Sequence, residues 1–292
     1  MFIATLIAAD RLTHGDISAA EDALRGAGVE PIGRDWIEPG SACDIGFADE
    51  AEAARTALEG AVAGADVVVQ PRQGRARRLL AADMDSTMIT VECIDELADY
   101  AGVKAEVAAV TEQAMRGELD FEGALDARVA LLEGLDEAAI DRCREERVAL
   151  MPGARVLVQT MRAHGAYCLL VSGGFTRFAE PVAEAIGFDR VAANVLVIED
   201  GRLTGRVRKP IVGAQGKREA LLDSARALGL GPAETLAVGD GANDIPMLCA
   251  AGLGIAYRAK PAVAAAASAR IEANDLTALL YLQGYKRSTW VN

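Results

Sequence analysis

The apolar run Leu79–Ala82 ends in Asp83-Met84-Asp85-Ser86-Thr87. Four consecutive Leu and Ala residues read as a strand buried on both faces, the kind found in parallel sheets covered by helices. Two carboxylates follow where that strand should end. In open α/β sheets ligands collect beyond the carboxyl ends of the strands. Like charges held close are costly unless a cation or a shared proton relieves them. The pentad is therefore either a strand-end site that uses its charge or a chance Asp-x-Asp in a loop or helix N-cap. The rest of the chain has to decide between them.

From Leu79 onward the pattern alternates. Strand candidates at 166–171, 235–238 and 253–256 are separated by helical stretches, which predicts a doubly wound parallel sheet of the Rossmann-like kind. Hydrophobic residues are 51% of the chain but aromatics only 4%, so the core is built from Ala, Val, Leu and Ile. Residues 92–149 show helical spacing throughout, as in Ile94, Leu97 and Tyr100, and no convincing strand. An all-helical insertion after the first strand would lie over the strand ends as a cap. Asp200-Gly201, inside 195–205, is a strong hairpin signal.

Residues 1–71 read as a separate small α+β unit. Phe2–Ala8 is a strand, 16–28 a helix, and 36–48 leaves room for two strands around Pro39-Gly40. A helix at 50–59 and a strand at 66–69, stopped by Pro71, complete the β-α-β-β-α-β order of a ferredoxin-like fold. The basic segment 72–78 (RQGRARR) reads as a solvated linker, with a phosphate-binding patch as the alternative. Residues 79–292 form the larger unit.

Formal net charge is −13, which argues against a nucleic-acid partner. Five dispersed cysteines without a CxxC spacing argue against a disulfide framework or zinc site and fit a reducing cytoplasm. The two histidines, His14 and His164, fall in a polar turn and at a helix end, so acid–base chemistry rests on carboxylates. No apolar run is long enough for a membrane span, and the first residues do not read as a signal peptide.

Four further clusters follow strands or open helices. Ser172-Gly173-Gly174 closes an apolar run before a helix, as in an anion-binding turn or an ordinary strand-to-helix turn. Lys217 opens another helix, where a lysine is slightly unfavourable unless it faces an anion; a solvated side chain is the default. Asp240 and Asp244, with Asn243 between them, follow the strand at 235–238. Together with Asp83 they would bring several carboxylates to one sheet edge, which calls for a divalent cation, Mg2+ being the natural one. In the cap, Glu92 and Arg128 are opposite charges that can face the site, and Met115 and Phe121 can close it off from water; alone, each is also an ordinary helix or core residue.

The ordered set DMDST (83–87), SGG (172–174), Lys217 and GDGAND (239–244) resembles the haloacid-dehalogenase superfamily of phosphatases. Glu92, the run 111–128 and VSGGFT (171–176) resemble its phosphoserine phosphatase branch. The resemblance covers about residues 79–283. It implies hydrolysis of phosphoserine, the step that ends serine biosynthesis, through an aspartyl-phosphate. Asp83 would be the nucleophile and Asp85 the general acid and base. Mg2+ would be held by Asp83, Asp240 and the backbone carbonyl of Asp85, with Asp244 supporting. Ser172, Gly173, Lys217 and Asn243 would hold the phosphate, Glu92 the substrate ammonium and Arg128 its carboxylate. Related small phosphomonoesters such as phosphothreonine remain an alternative substrate class. A regulatory protein with a vestigial phosphatase domain is a second alternative, which the intact charged set opposes. Residues 1–70 resemble a single ACT-type amino-acid-sensing domain, implying serine sensing and a homodimer. The usual Asp-Arg-Pro-Gly turn reads Asp10-Arg11-Leu12-Thr13-His14-Gly15, without the proline.

Overall fold

The computed structural model describes residues 1–291, the side chain of Met115 excepted. The N-terminal unit comprises β1 (Phe2–Ala8), α1 (His14–Gly26), β2 (Pro31–Glu38), β3 (Ala42–Phe47), α2 (Ala51–Leu58) and β4 (Ala65–Pro71). Its antiparallel sheet has the order β2-β3-β1-β4. Helix α1 starts two residues earlier than expected. Thr13 and Asp16 form a capping box, Thr13 N–H donating to Asp16 Oδ2 at 2.8 Å and Asp16 N–H to Thr13 Oγ1 at 3.2 Å. Pro71 is the last residue of β4, not a stop before it.

The larger unit begins with β5 (Leu79–Ala82). The cap helices α3 (Cys93–Ala101), α4 (Lys104–Met115), α5 (Phe121–Ala130) and α6 (Ala138–Arg147) follow. The chain then runs through α7 (Ala154–Ala163), β6 (Tyr167–Phe175), α8 (Thr176–Ile186), β7 (Arg190–Asn194), β8 (Leu196–Glu199) and β9 (Arg202–Val207). It ends with α9 (Ala214–Ala227), β10 (Thr235–Gly239), α10 (Ile245–Ala250), β11 (Leu253–Tyr257), α11 (Pro261–Ala266), β12 (Ala269–Ile271) and α12 (Ala278–Tyr281). The six-stranded sheet is parallel, in the order β12-β11-β10-β5-β6-β7.

The pattern of β5 explains its place. Leu80 and Ala82 join the apolar core on one sheet face, whereas Leu79 and Ala81 join the core on the other. Residues 168–171 of β6 and 236–238 of β10 alternate in the same way. From β5 the chain winds outward through β6 and β7, then returns to the other side of β5 as β10. The strand order reverses between β5 and β10, and that switch point is where an open α/β sheet leaves a crevice. Strands β7 and β12 were not expected; both are short edge strands with charged residues, Arg190 and Arg270, that blur the apolar pattern. The hairpin β8–β9 turns at Asp200 and Gly201, both with positive φ.

The N-terminal sheet is covered on both faces. Ala4, Leu6, Cys43, Ile45 and Phe47 pack on α1 and α2. Ile7, Ala42 and Val68, on the other face, join the core of the larger unit. Polar side chains on this second face are buried and paired. Thr5 donates to Asp44 Oδ1 at 2.7 Å, and Gln70 Nε2 to the Leu282 carbonyl at 2.6 Å. Asp66 accepts backbone N–H bonds from Glu272, Ala273 and Asn274 at 2.8, 3.2 and 3.0 Å. Segment 72–78 is largely exposed, but two of its arginines are tied down. Arg75 pairs with Asp44, and Arg77 is buried and bonded to Gln70 and to the Ala233 carbonyl. Among the described residues no helix is long and apolar enough to cross a membrane.

The buried Asp66 carboxylate serves three backbone donors, and its own charge is held by them. Asp66→Ala is expected to cost about 2–3 kcal/mol, read as a lower urea midpoint, with exposed Asp22→Ala as the control. An unchanged midpoint would show that the Asp66 hydrogen bonds do not contribute to stability.

Candidate active site

The site is assembled at the β5–β10 switch point. Asp83 N–H donates to the Val238 carbonyl at 3.0 Å, so the end of β5 is tied to β10 as both strands finish. The chain then tightens into a turn, with Met88 and Ile89 N–H both donating to the Met84 carbonyl. Within it Ser86 takes a left-handed backbone, φ 54°, unusual for a residue with a Cβ and typical of constrained functional turns. Ser86 Oγ donates to Glu92 at 2.6 Å, and Thr87 Oγ1 to Asp240 at 2.7 Å. Asp85 accepts the Cys93 N–H at the start of α3, at 3.2 Å.

Lys217 lies in the first turn of α9 and is fully buried. Its Nζ donates to Asp83 Oδ1 at 2.5 Å and to Asp244 Oδ1 at 2.7 Å. Of the two readings of Lys217, the anion-facing one fits this geometry and the solvated one does not: the carboxyl edge of the sheet supplies the anions. Asp244 closes the 3-10 turn Ala242–Asp244 and accepts the Gly241 N–H with its second oxygen at 2.9 Å. Asp83, Asp240 and Asp244 each offer one oxygen, all within 4.8 Å of one another.

Three carboxylates face one ammonium, and the protonation equilibria reflect it. Burial, reinforced by the charge of Asp244, pushes Asp83 well above the ordinary carboxylate range, with Lys217 opposing. Burial pushes Asp240 up to about 6, although the Thr87 hydroxyl favours its charged form. Asp85 is pushed up to about 7, first by burial and then by the neighbouring charge of Glu92. Burial works to lower Lys217, but Asp83 and Asp244 outweigh it and hold it above its ordinary value. This donor set fits a hard divalent cation, because all-oxygen carboxylate ligands with excess negative charge are what Mg2+ takes.

A cavity of about 580 Å³ opens above these groups. Asp83, Asp85, Asp240 and Asn243 line its floor with Gly173 and Gly174. Glu92, Phe121 and Arg128 line it from the cap. Phe121, Leu125 and Arg128 recur at helical spacing, so α5 presents one face to the cavity. Phe121 is seated on two glycines: a Cβ at Gly173 would meet its ring at 3.2 Å, and one at Gly213 at 3.0 Å. Arg128 Nε donates to the Ala124 carbonyl at 3.2 Å, and the guanidinium makes no ion pair among the described residues. Its charge is therefore available to a ligand.

Most of the sequence-predicted site residues converge here. Ser172, Lys217 and Asp244 lie beneath the cavity floor, fully buried; Ser172 Oγ accepts the Gly174 N–H at 2.8 Å. Met115 ends α4, and its side chain lies outside the described residues. Sequence reasoning missed Asp95, Thr111 and Lys260, which also line the cavity, and the Ser86 and Thr87 hydrogen bonds. Lys260 was within reach, since it follows a strand candidate on the same sheet edge.

Comparison with known proteins places these features in context. A model of the haloacid dehalogenase-like hydrolase family matches residues 80–249. A phosphoserine phosphatase of Streptomyces coelicolor is 49% identical over 242 residues, 82% of this chain and 59% of the relative. The chain thus spans little more than half the length of that relative. A phosphoserine phosphatase of Albidiferax ferrireducens is 49% identical over 210 residues, 70% of this chain and 89% of the relative. The solved structure of a probable phosphoserine phosphatase from Vibrio cholerae, in unliganded form, matches with a TM-score of 0.80 at 34% identity. It covers 98% of this chain and 88% of that one.

Proposed function

The chain belongs to the haloacid dehalogenase-like hydrolases, and from that membership we propose that it hydrolyses O-phospho-L-serine to L-serine and phosphate. The observation that carries the reading is the division of one cavity. Asp83, read as the nucleophile, lies at the floor with Lys217 bonded to it from beneath, and two opposite charges, Glu92 and Arg128, face the cavity from the cap. Phosphoserine needs both ends: a group that attacks phosphorus, and partners for an ammonium and a carboxylate. The names of the relatives support the same substrate.

In this reading an Asp83 oxygen attacks phosphorus as the bond from phosphorus to the serine oxygen breaks. Asp85, poised near 7, gives its proton to that oxygen. Water then attacks the aspartyl-phosphate, its proton passes to Asp85, and the bond from phosphorus to Asp83 breaks. Lys217 fixes the Asp83 carboxylate throughout. Asp83, Asp240 and the Asp85 backbone carbonyl would hold Mg2+, with Asp244 supporting them. When bound, that ion supplies positive charge between the nucleophile and the phosphoryl oxygens, which otherwise repel. Phe121, on its glycine seat, excludes water from the reacting end.

The N-terminal unit is read as an ACT-like regulatory module. Its edge strand β2 pairs only with β3 among the described residues, which leaves an edge for a second copy and supports a homodimer. Five unpaired cysteines support a reducing, cytoplasmic setting.

Phosphate release from L-phosphoserine, L-phosphothreonine and p-nitrophenyl phosphate, with and without Mg2+, tests the assignment. Mg2+-dependent preference for phosphoserine is expected, and Arg128→Ala should raise KM for phosphoserine by about 10- to 100-fold with little change for p-nitrophenyl phosphate. Equal effects on both substrates would remove Arg128 from amino-acid recognition. Metal affinity should also depend on pH. Asp240, raised to about 6, and Asp83, raised well above its usual range, bind protons as pH falls, and the ion must displace them. Calorimetric titration should show proton release and affinity falling by about tenfold per pH unit for each proton displaced. Affinity that stays constant from about pH 5 to 8 would contradict these protonation states.

A further inference from the structure

We propose that Lys260 is a substrate-capturing residue, whose ammonium draws in the phosphate group of the incoming substrate at the mouth of the cavity. Strand β11 ends at Tyr257, and the chain turns through Arg258, in a left-handed backbone with φ 46°, before α11 begins. Lys260 caps α11 in extended conformation, φ −62° and ψ 150°, with Pro261 as the first helical residue. Because β11 neighbours β10, this turn leaves the sheet on the same edge as Asp240. Helix α11 packs against the Ala242–Asp244 turn, so Lys260 reaches the cavity from the phosphate side and Arg128 from the cap.

The charge around the cavity gives this ammonium its task. Asp83, Asp85, Glu92, Asp95 and Asp240 all line the walls, and the whole chain carries −13. A phosphomonoester brings about −1.5 to −2 more at neutral pH, so the field at the mouth opposes its approach. Lys217 is fully buried and held by two carboxylates. The lysines in ion pairs are Lys104, Lys209 and Lys217; Lys260 is exposed and in none among the described residues. A cation at the rim of an acidic cleft concentrates an anionic ligand there, and salt screens it because it is exposed.

The proposal rests on the phosphomonoesterase reading of Asp83 but not on phosphoserine as the substrate. Its test uses p-nitrophenyl phosphate as substrate and inorganic phosphate as competitive inhibitor, at ionic strengths of about 0.01 M and 1 M. At low salt Lys260→Gln should raise both KM and the phosphate inhibition constant by about three- to tenfold, with a smaller change in kcat. Lys260→Glu should raise them further, and Lys260→Arg should restore them. At about 1 M salt, where the Debye length is about 3 Å, wild type and Lys260→Gln should converge. Unchanged constants at low salt, or a loss that salt does not remove, would overturn the proposal. Calorimetric binding of inorganic phosphate gives the same comparison without turnover: equal affinity of wild type and Lys260→Gln at low salt would overturn the proposal, whereas absence of turnover of every phosphomonoester would instead strike at the Asp83 reading.

Discussion

The Lys217 ammonium, fully buried and shared between Asp83 and Asp244, is the contact on which the rest of the site depends. It joins the end of β5, the first turn of α9 and the turn after β10, three segments distant in sequence. A buried ion pair contributes little net stability, but breaking one side leaves an uncompensated charge that is strongly destabilising. The topology makes the contact attainable. Only at the strand-order reversal do two adjacent strands end with their loops diverging, and that is where Asp83 and Asp240 emerge. One ammonium against three carboxylates leaves the site short of positive charge. Burial first, and then the charge of Asp244, raise Asp83 and Asp240, and the deficit makes a divalent cation the natural complement.

The cap adds a different kind of constraint. Helix α5 turns Phe121, Leu125 and Arg128 toward one cavity, and Phe121 rests where Gly173 and Gly213 leave no side chain. The glycines are needed for close approach of the cap to the floor. Arg128 is thereby carried at a fixed height above Asp83. The N-terminal sheet is held by a buried polar layer around Asp66, Gln70 and Arg77, so it is packed against the larger unit instead of swinging on a tether.

Much of this was legible in the chain. The two-faced burial of Leu79–Ala82, the Asp pair after it and the GDGAND loop are local signals, and the structure brings them to one edge. The helical cap and the Asp200-Gly201 hairpin carry equally local patterns. What was not legible depends on partners far along the chain. Taken alone, Lys217 looks solvated; the ordered motif set places it in the site, but its second partner, Asp244, is set by the fold. The anchoring of Arg75 and Arg77 within the basic run 72–78 does not show in the sequence because Asp44, Gln70 and Ala233, which bind them, are set by tertiary packing. Edge strands β7 and β12 are too short and too polar to show a period of two.

The central claim is that Asp83 becomes covalently phosphorylated. Acid quenching during turnover of radiolabelled phosphoserine, followed by peptide mapping, tests it most directly. The account predicts an acid-stable, base-labile label on the peptide that contains Asp83, absent in Asp83→Asn, which should also lose turnover. Turnover without any label, a label on another residue, or full activity in Asp83→Asn would contradict it.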